Sequence, residues 1–418
     1  AGGRRAIRSR GSSMKRWAIY RNLLLALAVI VGLAFAGRRA LQGRDAAGDA
    51  EPGAADASSD DAPPPVTEPP PAAPSLFPDG VPVAVQQTPD GLANLSAQGC
   101  NGCHYAAHEQ WAGTAHADAW NDPEYQEAIQ RVGGSTACKS CHLPLANQHG
   151  RLAAGYIGGD VARPDLQPNP LWDPVLMSEG VTCAACHVRD GLVLGTRPAP
   201  GAPHPVAVST ELSSSRACGT CHQLTWPNAD KPFYDTYGEW EASAYADAGV
   251  RCQDCHMPPR AGPATATRFA AVASHGFESD LDRALSVLVK LDQPELSRGE
   301  AFTVGVTLQN TGAGHHIPTG SPFKTYRVSI DVVGDDDEVI AGPHTHDLVR
   351  VVEQVEPWNT ITDARLPAGG EVTVTPEFTI SQKERSPTAT LRVRVLQVIG
   401  DDADDAPLLE RRIPLALL

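Results

Sequence analysis

The sequence has few of the bulky side chains that normally fill a protein interior. Its 418 residues include only 8 Phe, 8 Tyr and 7 Trp, against 38 Gly and 36 Pro. One core for the whole chain is excluded, because single cores stop growing near roughly 250 to 300 residues and longer chains divide into domains. The shortage of aromatic residues means that part of the chain is irregular or that a bound cofactor supplies the missing bulk.

Basic residues are scarce outside the N-terminal segment. Residues 1–44 hold ten of the 34 Lys and Arg and no acid, so residues 45–418 contain 24 basic and 49 acidic residues, a net charge of −25. A body this acidic excludes nucleic acid as a partner, because phosphate binding needs a basic face. We expect partners that present basic docking surfaces.

Residues 1–43 have the layout of a targeting segment, in which basic residues precede the apolar run 23–36, LLLALAVIVGLAFA. The small-x-small sequence that ends at Ala36 favours a cleaved signal peptide. Arg38 and Arg39 disfavour cleavage, and the run is nearly long enough for an uncleaved membrane anchor. Either alternative predicts a periplasmic or otherwise extracytoplasmic body, and the anchor would add contact with the cytoplasmic membrane.

Residues 44–90 are predicted to form a disordered tether. They are mostly Pro, Ala, Asp and Glu, as in DAPPPVTEPPPAAP, and cannot bury enough apolar surface to offset their ordering entropy. The composition fits both a stalk that holds the body off a membrane and a passive spacer.

All ten cysteines lie between residues 91 and 280, in five CxxCH motifs that we number 1 to 5 in chain order. This pattern is the signature of c-type haem attachment, in which two thiols form thioethers and the histidine binds iron. Zinc sites, disulfides or a redox dithiol would not require a histidine after every pair. The predicted haem-attaching residues are Cys100 and Cys103, Cys138 and Cys141, Cys183 and Cys186, Cys218 and Cys221, and Cys252 and Cys255; the predicted proximal iron ligands are His104, His142, His187, His222 and His256.

Five haems in so short a region leave few residues for each. We therefore predict that residues 91–280 form a haem-packed multihaem cytochrome c domain of mostly short helices and loops, with little sheet. Its five c-type haems, each with one iron, would supply the bulk that the aromatic residues do not.

The second axial ligand of each iron is predicted to be a histidine. Only three Met occur, and Met14 and Met257 are unsuitable by position, so iron with two histidine ligands should dominate. The distal candidates, chosen by position among the nine remaining histidines, are His116, His149, His204, His275 and His315. His316 competes with His315, whereas His344 and His346 are predicted to be exposed loop residues.

An internal echo supports one of these candidates. Residues 111–119, WAGTAHADA, align without gaps with residues 240–248, WEASAYADA, and both segments are predicted to be helical. The first offers His116 as a ligand at the position where the second has Tyr245. We expect Tyr245 to pack against a ring rather than to bind iron.

Four segments carry a resemblance to a known family: CNGCHYAAHEQWAGTAHADAW, EGVTCAACHVRDG, YGEWEASAYADAGVRCQDCHMP and NTGAGHHIPTGSPF. Over about residues 95–330 the chain resembles the multihaem cytochromes c related to the tetrahaem electron carrier of nitrifying bacteria. The last segment looks like the GHxxPTG element that such proteins often carry in a following β domain. The resemblance implies an electron-transfer role and favours His116 and His315 as distal ligands. His108 departs from it, since related chains tend to have Tyr there.

Residues 281–418 are predicted to form an all-β, immunoglobulin-like sandwich. The segments LSVLVKLD, AFTVGVTLQNTG, YRVSIDVVGD, EVTVTPEFTI and TLRVRVLQVIG alternate apolar and polar residues between turn formers. The domain could be a purely structural lid, but we favour the hypothesis that its GHHIPTG loop donates His315 to a haem.

Three functional classes remain open. Electron transfer outside the cytoplasm ranks first, with redox proteins as partners, among them a membrane quinol-oxidising complex. An oxidoreductase that acts on a small nitrogen or sulfur compound at one open-site haem is the alternative, although no CxxCK motif is present. A docking or assembly role comes third. We expect an electron carrier rather than a catalyst.

Overall fold

The computed structural model describes residues 76–77, 81–131, 136–159, 163–225, 228–265, 267–293, 295–353, 358–399, 402–403 and 406–418. The predictions for residues 1–43 and for most of 44–90 fall outside these residues. Within the described part of the chain, no helix combines the length and the apolar composition needed to cross a bilayer.

Short helices dominate the motif-bearing region, as predicted, and most of them have fewer than eight residues. The longest contains motif 1, and four others end at the histidine of motifs 2 to 5. In chain order they are α1 (Ala97–Ala112), α2 (Pro123–Arg131), α3 (Thr136–His142), α4 (Pro174–Ser178), α5 (Cys183–His187), α6 (Arg216–His222), α7 (Thr236–Glu241), α8 (Ala244–Asp247) and α9 (Cys252–His256).

In the described part of this region, three small sheets run between the helices, which is more sheet than the sequence predicted. An antiparallel hairpin, a three-stranded sheet and a second hairpin interrupt the helices. Two of them supply main-chain carbonyls to motif histidines, so they belong to the candidate sites. Their strands are β1 (Arg151–Tyr156) with β2 (Pro164–Pro168), β3 (Val188–Arg189) with β4 (Leu192–Gly195) and β5 (Val206–Val208), and β6 (Pro259–Thr265) with β7 (Arg268–Ala273).

Among the described residues, the C-terminal region has two larger antiparallel sheets around one apolar core and a separate two-stranded sheet, β12 with β13. The first sheet has β9 at its centre, and the second has β10 and β16. Phe302, Val306, Ile330 and Val393 meet between them, each at most 2% exposed. After α10 (Leu281–Ala284) the strands are β8 (Leu285–Leu291), β9 (Ala301–Asn310), β10 (Thr325–Val333), β11 (Val339–Leu348), β12 (Arg350–Val352), β13 (Thr360–Asp363), β14 (Glu371–Val374), β15 (Glu377–Thr379), β16 (Ala389–Ile399), β17 (Asp402–Ala403) and β18 (Leu409–Leu415).

The five alternating segments coincide with β8, β9, β10, β14 with β15, and β16. One prediction in this region is wrong: His344 and His346 lie in β11 and not in a loop. Pairing with β10 accounts for this, because His344 lies opposite Ile330 and His346 lies opposite Val328. The segment GPHTHD has too few apolar residues to give an alternating signal of its own.

One carboxylate lies fully buried in the second sheet. Asp331 on β10 accepts hydrogen bonds at 2.8 and 2.9 Å from the Arg392 guanidinium and at 3.1 Å from Arg394, both on the paired strand β16. Asp331 is 0% exposed. A buried charge of this kind is tolerated only because its partners remain in place.

We predict that Asp331→Ala lowers the free energy of unfolding by about 3 to 5 kcal/mol, because it leaves two guanidinium groups without their buried partner. Asp347→Ala is the matched control, since Asp347 makes a similar two-pronged contact with Arg327 at 2.8 Å on the same sheet but is partly exposed. Its expected cost is below about 1 kcal/mol. Urea unfolding of the full chain, followed by far-ultraviolet circular dichroism, measures both, and equal costs would contradict the account.

Candidate haem-binding sites

All five motifs share one local geometry. The histidine ends its helix in motifs 2 to 5, and in motif 1 the helix α1 is kinked at His104, whose backbone has φ −106° and ψ 41°. Cysteines three residues apart on a helical turn lie on the same side of it. All ten cysteine residues are half-buried or exposed. Each motif therefore has two thiols on one side of a helical turn beside an imidazole, which is the arrangement that covalent haem attachment needs.

Main-chain carbonyls orient most of the motif histidines. The Nδ1 of His104, His142, His187 and His256 lies 2.9, 2.7, 2.8 and 2.5 Å from the carbonyl oxygens of Ala264, Ala119, Leu194 and Glu278. A carbonyl only accepts, so Nδ1 must carry the proton and Nε2 is left with a free lone pair. This is the tautomer that binds a metal through Nε2, and such outer contacts are usual for histidine ligands.

Three motif histidines each face one predicted distal histidine. The ring centroids are 6.1 Å apart in three pairs: His222 with His116, His187 with His275, and His256 with His315. Two imidazoles bound to opposite faces of one iron, each through a bond of about 2 Å, have ring centres roughly 6 Å apart. The spacing of the three pairs therefore fits one iron between each pair.

Hydrogen bonds or burial favour the metal-binding form of the three predicted distal rings. His275 and His315 each donate from Nδ1 to a main-chain carbonyl at 3.0 Å, of Ala273 and His316 respectively. Burial, together with the facing motif histidine, lowers the pKa of His116 and of His275 to about 4. Both rings are neutral at neutral pH, and the neutral imidazole is the form that binds metal.

The other two distal candidates do not face a motif histidine within the described residues. His149 is buried, and its Nε2 donates to the Leu143 carbonyl at 2.8 Å, so the ring is turned into its own loop. His204 lies in the loop before β5, and its Nδ1 is buried with no hydrogen-bond partner in the described part of the chain. Their roles as ligands stay predictions.

Motifs 1 and 2 have different surroundings from the other three. Tyr125 stacks on the His142 ring, with centroids 3.7 Å apart and planes 7° apart, and its buried hydroxyl has no partner among the described residues. No second histidine in the described residues faces His104 or His142 at the spacing of the three pairs. Among the described residues, a facing histidine is therefore found for motifs 3, 4 and 5 and not for motifs 1 and 2.

His116 is held by the segment that precedes motif 3. The main-chain N–H of Val181 donates to the His116 carbonyl at 2.9 Å, and the Trp111 indole N–H donates to the Val181 carbonyl at 2.9 Å. Gly180 adopts φ +57°, and a Cβ there would lie 2.7 Å from the His116 oxygen, so the site requires glycine. The predicted helix over 111–119 ends early, at Ala112, and the chain then turns to bring His116 inward.

His315 lies in the loop between β9 and β10, which agrees with the prediction that the GHHIPTG segment is a loop. Buried Asn310 holds this loop from the sandwich, because its side-chain amide donates to the His315 carbonyl at 2.8 Å and its oxygen accepts the Ala313 N–H at 3.0 Å. Tyr245 donates to the Thr311 carbonyl at 2.9 Å, so the second copy of the echo contacts this loop.

The motifs also touch one another through their thiols. The side chains of Cys100 and Cys183, of Cys141 and Cys221, and of Cys218 and Cys252 lie close enough to shift each other's pKa. Motif 1 is therefore next to motif 3, and motif 4 is next to motifs 2 and 5. The pKa of Cys218 and of Cys221 is raised mainly by the neighbouring Cys252 or Cys141 and by burial. The nearby Cys186 side chain raises it further, so motif 3 lies close to motif 4.

Comparison with known proteins supports the cytochrome character of this region. The family model "Cytochrome c554 and c-prime" matches residues 99–156. A penta-heme cytochrome c552 from Thermochromatium tepidum matches with a TM-score of 0.54 at 16% identity, over 78% of this chain and 100% of that one. The chain therefore shares the fold of a multihaem cytochrome c.

Other solved structures match about a third of the chain. The CARDB domain of the PF1109 protein from Pyrococcus furiosus is 12% identical over 32% of this chain and 87% of that one, with a TM-score of 0.19. Spo0M, a sporulation control protein from Bacillus subtilis, is 14% identical over 32% and 49%, with a TM-score of 0.15. Likeness this low says nothing about the fold. No curated protein matches the chain.

Several contacts of these sites carry no sequence signal. The carbonyls that orient the motif histidines belong to residues as ordinary as Ala119, Ala264 and Leu194, and any residue could supply them. Phe277 packs edge-on against His116 at 4.2 Å but comes from the segment after β7. Only the folded chain brings these groups together.

We predict that His315→Ala leaves five haems attached, because attachment depends on the motifs, but converts one iron from low spin to high spin by removing its distal ligand. Low-temperature electron paramagnetic resonance of the oxidised variant measures the change. His344→Ala is the control, since His344 is exposed on β11 and its ring forms a hydrogen bond with the Glu377 carbonyl. An unchanged spectrum for His315→Ala would remove the β domain from the ligand set.

Proposed function

We propose that the protein transfers electrons outside the cytoplasm through five covalently bound c-type haems, most of them with two histidine ligands. The observation that carries the proposal is the 6.1 Å spacing of the three facing histidine pairs. A c-type haem supplies a reversible one-electron iron centre when it is bound. Two permanent histidine ligands leave no position for substrate, which favours a carrier over a catalyst.

The protein's own residues set up this role in three ways. Main-chain carbonyls hold Nδ1 of the motif histidines and direct Nε2 toward the metal position. Half-buried distal imidazoles, whose lowered pKa keeps them neutral, complete three of the proposed sites. The cysteines of neighbouring motifs lie next to each other, so the proposed haem sites are adjacent and electrons can pass between them without a conformational change.

The finer assignments belong to the same proposal. We place the chain near the tetrahaem electron carriers of nitrifying bacteria, on the GHxxPTG element and the matched segments. The C-terminal domain is proposed to be an immunoglobulin-like sandwich, which two antiparallel sheets around one core support. Its role is to present the loop that contains His315.

A second candidate function is oxidoreductase chemistry on a small nitrogen or sulfur compound at one open iron. The surroundings of His104 and His142, which no second histidine faces among the described residues, favour it. Carbon monoxide added to the reduced protein distinguishes the two functions. Binding at motif 1 or 2 would support an open site, whereas no binding would leave the electron carrier alone.

We predict that the chain, matured in a compartment that attaches c-type haem, gains the mass of five haems. Replacing Cys252 and Cys255 together by Ser should reduce the gain to four, since both thioether bonds of motif 5 are lost. Intact-protein mass spectrometry under denaturing conditions measures covalent attachment only. A chain that carries no covalent haem would refute the proposed function.

We predict that a basic redox protein exchanges electrons with this chain at a rate that falls about tenfold or more as salt rises from 0.01 to 0.5 M, because the net charge of −25 on residues 45–418 steers the encounter. Stopped-flow absorbance at the haem bands measures the rate. An acidic redox protein of similar potential is the control and should show the opposite trend. Equal salt dependence for both partners would contradict the proposed docking.

A further inference from the structure

A structural repeat underlies the sequence echo and surrounds two of the three facing histidine pairs. In the first copy the Trp111 indole N–H donates to the Val181 carbonyl, and in the second the Trp240 indole N–H donates to the Val250 carbonyl, both at 2.9 Å. Each valine lies two residues before the first cysteine of a motif, motif 3 in one copy and motif 5 in the other. The two tryptophans therefore hold equivalent motifs.

The equivalence extends to neighbouring contacts. The Thr114 hydroxyl donates to the Trp111 carbonyl at 2.7 Å, and the Ser243 hydroxyl donates to the Trp240 carbonyl at 2.7 Å. The first cysteines of motifs 1 and 3 touch, and so do the first cysteines of motifs 4 and 5. Two copies of one structural unit, each with a pair of motifs, therefore build most of the region.

The residue before each tryptophan makes a contact that the echo did not predict. The Gln110 Oε1 accepts the main-chain N–H of His275 at 2.8 Å. The Glu239 Oε2 accepts the main-chain N–H of His316 at 3.1 Å. His275 faces the histidine of motif 3, and His316 directly follows His315, which faces the histidine of motif 5. In both copies, the residue before the tryptophan therefore contacts the segment that contains the facing histidine, while the tryptophan itself holds the motif.

Glu239 is fixed strongly enough to act as an anchor. It is buried and accepts hydrogen bonds from the Arg365 guanidinium at 2.6 Å and from the Thr319 hydroxyl. Arg365 is held in turn by Asp363 at 2.8 Å. Burial opposes the charged form, but the hydrogen bonds from His316 and Thr319 and the charge of Arg365 outweigh it and lower the pKa of Glu239 to about 2. The Glu239 carboxylate therefore connects α7 to the loop that contains His315, through His316 and Thr319, and also to Arg365.

We propose that Gln110 and Glu239 are equivalent positioning residues, each of which holds a distal histidine, His275 or His315, opposite its motif histidine through a hydrogen bond to the main chain. The inference rests on the proposed function, because it takes these histidines as iron ligands. Both anchors need only an oxygen acceptor of the right length, which explains why an amide serves in one copy and a carboxylate in the other.

The test compares loss of the acceptor with its conservative replacement. Glu239→Ala and Gln110→Ala should each keep five haems by intact mass but lose one low-spin species, about one fifth of the haem, in electron paramagnetic resonance. Glu239→Gln and Gln110→Glu keep an acceptor oxygen and should retain the low-spin spectrum. The exposed neighbours supply matched controls, Glu241→Ala for the second copy and Glu109→Ala for the first, and both should behave as the unmodified protein.

Several results would overturn the inference. Alanine variants that keep five haems and the unmodified low-spin spectrum would show that the anchors do not position the ligands. A loss of signal in the conservative variants equal to that in the alanine variants would mean that the acceptor oxygen is not what matters. Gln110 is only half-buried, so Gln110→Ala tests the inference even if Glu239→Ala fails to fold. Absence of haem from the unmodified protein would instead refute the proposed function.

Discussion

The hydrogen bond from the Nδ1 of a motif histidine to a main-chain carbonyl is the contact on which four of the five candidate sites depend. It fixes the tautomer and the ring orientation together, so Nε2 points where a metal ligand must point. The carbonyls come from turns, strands and segments far along the chain, as with His104 and Ala264 on β6. The small sheets are thus part of the sites, since they deliver acceptors that helices, whose carbonyls are already used, cannot.

The histidines that we propose as distal ligands come from different parts of the chain, so the proposed sites join the motif-bearing region to the C-terminal region. His116 follows α1, His275 follows β7 and His315 comes from a loop of the sandwich. A ligand on a loop needs support from both sides, and the structure supplies it through Asn310 in the sandwich and Glu239 in α7. These contacts order the loop permanently. The loop therefore need not be ordered anew, at an entropic cost, each time the iron is oxidised or reduced.

The sequence predicted the local features well and the long-range ones poorly. Five motifs, the change to alternating strands near residue 285, and the place of His315 in its loop all follow from short patterns. The pairing of His275 with motif 3 does not, because 88 residues separate it from His187 and only the fold joins them. His344 and His346 were placed in a loop because a strand without apolar alternation gives no signal. The anchors Gln110 and Glu239 were missed because an amide and a carboxylate do not look alike in sequence.

The most direct test of the account is the spin state of iron in the unmodified, oxidised protein. Three facing histidine pairs should give at least three low-spin haems in low-temperature electron paramagnetic resonance, with any high-spin signal confined to at most the two irons of motifs 1 and 2. A predominance of high-spin iron, or fewer than three low-spin haems, would contradict the assignment of His116, His275 and His315 as distal ligands.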